Sequence, residues 1–133
     1  MNKQFVDTNY ILRYLLKDNL EQYNLVSKFF IECVTGGIKL VSNNVVLFEL
    51  YWVLFKTMKL EKEQTCTLIN HFLQLDIVEF EDKPIIALAL QNDLTNNLGL
   101  EDNYHLSWCK LNKITKINSF DEKMNKAWAK INR

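Results

Sequence analysis

Four acids in this chain are placed where they could share one chemistry: Asp7, Glu49, Asp102 and Asp121. Carboxylates brought together repel and raise one another's pKa. A hard divalent cation with oxygen ligands resolves that conflict. Mg²⁺ keeps several waters and takes only a few protein carboxylates, so four acids suffice for one ion, or two. The chemistry that suits such a set is hydrolysis of a phosphodiester. The cation neutralises the phosphate and supplies a more acidic water, and a carboxylate helps to deprotonate it. Thr8, Asn9 and Ser119 flank these acids and are placed to orient them by hydrogen bonds. His105 follows Asp102 by three residues, while His71 has no supporting neighbour. A lone histidine on a helix is more often structural than catalytic, despite its catalytic repertoire.

Each acid also has a plainer reading. Asp7, Thr8 or Asn9 can cap the helix that follows, and Asp121 can cap the last helix. Asp102 sits in a first helical turn, where the helix dipole favours an acid, and Glu101 beside it would serve as well. Glu49 interrupts a long apolar run, on the face shared with Val45, Val46, Trp52 and Val53. A buried carboxylate there must find a partner, reach water or bind a cation. Arg13 and Lys56 are the candidate bases.

The elements that must position these acids alternate between short strands and helices. Lys3–Asp7 reads as a strand ending in its acid. Ile11, Leu12, Leu15 and Leu16 form the apolar stripe of a helix directly after it. Leu20 to Val34 reads as a second helix, stopped by Thr35-Gly36-Gly37. Ile38–Val41 is a strand, and Ser42, Asn43 and Asn44 offer caps for a helix over Val45 to Met58. Glu61 to Leu75 is a helix and Ile77–Phe80 a strand. Lys83-Pro84 opens another helix, which closes at Asn96–Gly99. Glu101 to Leu111 is helical, Ile114–Asn118 reads as a fourth strand, and Asp121 to Ile131 as a last helix. Strands separated by helices pair in parallel with helices on both faces. Right-handed crossovers then set every strand's carboxyl end, and each of the four acids, on one edge of the sheet. That edge is where open α/β sheets bind ligands.

The totals narrow the function class. A chain of 133 residues is expected to form one domain with a single core. Only 3 glycines and 1 proline make an all-β fold improbable on composition. No apolar run reaches bilayer-spanning length, and no secretory signal is visible. Three widely spaced cysteines without a C-x-x-C pair fit a reducing cytoplasm better than a disulfide or zinc framework. Net charge is zero but uneven. Residues 60–104 carry two bases and nine acids, and residues 105–133 carry seven bases and two acids. Binding of nucleic acid by bulk charge alone is thereby excluded, but a basic face beside an acidic pocket is not. The basic residues Lys110, Lys113, Lys116, Lys123, Lys126, Lys130 and Arg133 could hold a nucleic-acid backbone.

In order along the chain, four segments resemble the motifs of PIN-domain ribonucleases. They are Val6-Asp7-Thr8-Asn9, the stretch Val46-Leu47-Phe48-Glu49-Leu50, Leu100-Glu101-Asp102-Asn103-Tyr104-His105-Leu106, and Ser119-Phe120-Asp121-Glu122-Lys123-Met124. The short chain is similar to the VapC-type toxins of toxin–antitoxin pairs. The resemblance implies a three-layer α/β/α fold with a central parallel sheet of four to five short strands. It implies an endoribonuclease dependent on Mg²⁺ or Mn²⁺, with Asp7, Glu49, Asp102 and Asp121 as its acids. It also implies a homodimer and a cognate antitoxin. Glu101 and Asn103 depart from the small residues usual on either side of the third acid. Two other readings compete: a catalytically silent domain of the same fold that binds RNA or a protein, and a phospho-acceptor signalling domain. The latter normally wants paired acids after its first strand, where this chain has Asp7 alone.

Overall fold

The computed structural model describes residues 2–133. The chain divides into two compact units, residues 1–81 and 82–133.

The first unit holds the sheet. Strand β1 (Lys3–Phe5), β2 (Lys39–Ser42) and β3 (Val78–Phe80) lie in the order β1-β2-β3, all parallel. Lys3 pairs with Lys39 and Leu40 with Val78, so all three strands end at one edge. Helices α1 (Thr8–Leu16), α2 (Leu20–Thr35), α3 (Asn44–Trp52) and α4 (Lys62–Gln74) make the connections. α2 packs on β2 and α4 on β3, while α1 packs on α2 and α3. The apolar spacing noted above does its work here: Ile11, Val26, Phe30, Leu47, Leu50, Leu54 and Phe72 are all buried. The Tyr14 ring meets Phe30 edge-on at 5.3 Å and Phe72 at 5.8 Å, joining three helices.

Local signals set the boundaries. Asn43 accepts from the Val46 amide and caps α3, and Glu61 and Gln64 form a reciprocal capping box on α4. α3 does not run on to Met58 as an α-helix. It continues as a wider π-helical segment, Val53–Thr57, closed by the Met58 amide on the Val53 carbonyl at 2.8 Å. Beyond Gly37, five residues take positive φ: Lys17, Lys59, Asp76, Asp82 and Lys113.

The second unit is helical: α5 (Lys83–Asp93), α6 (Leu100–Leu111) and α7 (Glu122–Ile131), with α6 packed on both others. Leu98, Leu106, Ala127 and Trp128 form its buried centre. The expected fourth strand, Ile114–Asn118, forms no ladder, so the described sheet has three strands rather than four to five. Its β-branched alternation is spent on packing: Ile117 lies against the Leu106–Trp128 cluster, and the Ile114 amide turns back to the Cys109 carbonyl.

Candidate functional site

The sheet edge in the first unit is built by backbone first. The Val6 amide donates to the Val41 carbonyl at 3.0 Å, and the buried Ser42 hydroxyl donates to the Val6 carbonyl at 2.9 Å. The ends of β1 and β2 are therefore fixed against each other just before Asp7. Asp7 occupies the N-cap of α1 with extended backbone, yet its side chain makes no cap hydrogen bond. The capping reading fails for this residue. Its carboxylate is exposed and is not committed to holding the helix.

Thr8, next in the chain, is buried, and its Oγ1 donates to Glu49 Oε2 at 3.0 Å. This bond spans 41 residues and brings the middle of α3 to the end of β1. Glu49 is not the buried acid that its apolar neighbours suggested. It is exposed, and so are Val45 and Trp52 on the same helical face. Spacings of four and three residues put Val45, Glu49 and Trp52 together on the outer side, while Val46, Leu47, Leu50 and Tyr51 fill the interior. Glu49 thus meets its needs with water and the Thr8 hydroxyl. No base is required; Arg13 pairs instead with Asp18 at 3.0 Å.

In the second unit, Asp102 lies half-buried in the first turn of α6 with Glu101 exposed beside it. Asp121 does what a cap does: its Oδ1 accepts from the Met124 amide at 3.2 Å, and its own amide donates to Ser119 Oγ at 3.0 Å. Asn9 is exposed at the start of α1, and His105 is exposed with its ring beside Tyr104. Asp7 and Glu49 are thus drawn to one strand end. Among the described residues, no three His, Cys, Asp or Glu side chains are gathered to hold a metal ion. A divalent ion that keeps several waters is nevertheless bound through as few as one or two carboxylates. The exposed, oxygen-only pair of Asp7 and Glu49 fits such an ion by donor chemistry.

One polar cluster escaped the sequence reading. Asp93 and Asn103 are completely buried. Asn103 Nδ2 donates to Asp93 Oδ1 at 2.7 Å and to Asn96 Oδ1 at 3.0 Å, and Asn96 Nδ2 returns a bond to Asn103 Oδ1 at 2.8 Å. Asn96 also accepts from the Leu98 amide, which fixes the turn leading into α6 and hence Asp102. The signal was present: Ile86, Ala89, Leu90 and Asp93 share the inward face of α5 by their spacing. The thiols are set apart from any such role. Burial pushes Cys33 upward in pKa, helped by Glu32, and burial alone pushes Cys109 upward.

No curated protein and no solved structure matches the chain. The family profile of the PIN domain does, over residues 5–129. That span takes in all four motifs and nearly all of both units, and the chain belongs to the PIN domain family, whose fold is of nuclease type.

Proposed function

We propose that this protein is an endoribonuclease that hydrolyses RNA phosphodiester bonds with the help of Mg²⁺ or Mn²⁺. The observation that carries the reading is the Thr8–Glu49 hydrogen bond, which fastens a second carboxylate beside the uncommitted Asp7. Asp7 and Glu49 would hold the cation, with Asp102 and Asp121 as the other two acids of the set. When bound, the cation supplies charge neutralisation at the phosphate and a more acidic water. Thr8 holds the Glu49 carboxylate in one orientation. Ser42 and the Val6 carbonyl keep the strand end that carries Asp7 from shifting.

The test is cleavage of a mixed RNA substrate by the purified chain. Cleavage is expected with Mg²⁺ or Mn²⁺ and is expected to vanish in EDTA. Absence of cleavage under every metal condition would leave the catalytically silent, RNA- or protein-binding domain as the reading. Thr8→Val keeps the shape and removes the donor. Activity is expected to fall about tenfold, the lower end for losing a group that orients a metal ligand. Equal rates for Thr8→Val and wild type would remove Thr8 from this role.

The biological setting proposed is that of a toxin restrained by a cognate antitoxin, from the resemblance to VapC-type toxins. A homodimer belongs to the same proposal. Tyr51 and Phe30 are core residues, whereas Trp52 on α3 and Leu25, Ile31 and Val34 on α2 are exposed. Ile31 and Val34 share one side of α2, and it is a contiguous exposed apolar patch of this kind that marks an association surface. Light scattering at micromolar concentration is expected to give twice the chain mass; a monomer would contradict the dimer.

A further inference from the structure

The last helix carries a feature that the acid set does not use. Lys123, Lys126 and Lys130 lie at i, i+3 and i+7 on α7, which puts all three on one face. They form one rim of a groove of 470 Å³, opposite the polar turn that includes Thr95, Asn96 and Asn97. The floor between them is apolar, with Leu98 and Ile131, and no described acid lines the groove. The three lysines make no ion pair among the described residues. At about 1.5 Å of rise per residue they span about 10 Å along the helix.

We infer that this groove binds single-stranded RNA, with the lysines on neighbouring phosphates and the exposed Thr95 and Asn97 against sugar and base edges. The inference rests on the RNA-cleaving reading above and adds to it the place where the strand is gripped. Charge complementarity selects the occupant: a row of cations on one side and neutral hydrogen-bonding groups on the other is the complement of a strand whose charge runs along one edge. An apolar floor suits a ribose or a base face.

The test measures binding of a short fluorescein-labelled oligoadenylate to the full chain by anisotropy, in EDTA and over a series of salt concentrations. Lys126→Gln/Lys130→Gln is expected to weaken binding about tenfold at moderate salt and to lower the slope of log K against log salt by about 1.4, the value for losing two single-strand phosphate contacts. Lys126→Arg/Lys130→Arg keeps the charge and is expected to restore both. These positions are exposed, and unchanged circular dichroism shows that the variants fold. Unaltered affinity and slope in the glutamine variant would overturn the proposal. Tighter, lysine-dependent binding of an oligoglutamate peptide than of oligoadenylate would overturn it as well, because the occupant would then be an acidic protein segment. Lysine-dependent RNA binding without cleavage in Mg²⁺ would leave the groove standing and remove the endoribonuclease reading. Cleavage without lysine-dependent binding would do the reverse.

Discussion

Asp7→Asn is expected to reduce RNA cleavage by at least about a hundredfold, a typical size for losing a group that positions a metal. The substitution is unusually clean at this position. Asparagine has nearly the same shape and is itself a favoured N-cap residue. The wild-type carboxylate makes no cap hydrogen bond, so helix α1 loses only its interaction with the helix dipole, about 0.3–1 kcal/mol at an exposed site. Thr8 keeps its bond to Glu49, and the Val6–Ser42 bond does not involve the Asp7 side chain. Initial rates at saturating Mg²⁺ should therefore collapse while stability falls by no more than about 1 kcal/mol. A mutant that cleaves like wild type would end the proposed mechanism.

The largest expected effect on stability falls at a residue without a proposed catalytic role. Asn103→Leu is expected to destabilise the protein by about 1–3 kcal/mol, because buried polar side chains lose a hydrogen-bond partner. Leucine fills the space, so the loss reports polarity rather than a cavity. Asp93 then lacks its 2.7 Å bond to Asn103, and Asn96 loses both bonds to that side chain. Urea unfolding measures the difference. Adding Asp93→Asn to Asn103→Leu should recover part of the loss, since contacting members of one network couple. A loss below about 1 kcal/mol would show that the Asn103 bonds are not what holds this turn together.

Much of the architecture was readable before the coordinates. Helical spacing found α1, α2 and α4, because an apolar stripe facing a core repeats at the helical period. The parallel order followed from the connections. Pairing was less readable. Ile114–Asn118 alternates like a strand, but a strand exists only if a neighbour accepts its hydrogen bonds, and Ile117 instead joins a helical core. Glu49 was misplaced for a related reason. When every side of a helix is apolar, composition does not say which side is outward, and Trp52, with 60% of its surface exposed, belongs to the outer one. On that outer side the Glu49 carboxylate is what the Thr8 hydroxyl reaches. Asn103 looked like a mere departure from a small residue. Its purpose lies in Asp93, ten positions earlier, and no local pattern joins the two.

The way the helices stop has a cost that the chain has left in place. Lys17, Lys59, Asp76 and Lys113 turn the backbone into the left-handed region where glycine would sit at ease, and Asp82 does so at the entry to α5. Each such residue carries about 1–2 kcal/mol of steric penalty, of which glycine's looser unfolded chain would give back about 0.4–1 kcal/mol. Whereas Asp82 also accepts from Tyr104 and Lys17 lies over the Tyr23 ring, the protein holds latent thermal headroom at Lys59 and Lys113. Glycine there would offset the loss from a damaging change elsewhere, and the swaps lie outside the acids proposed for catalysis.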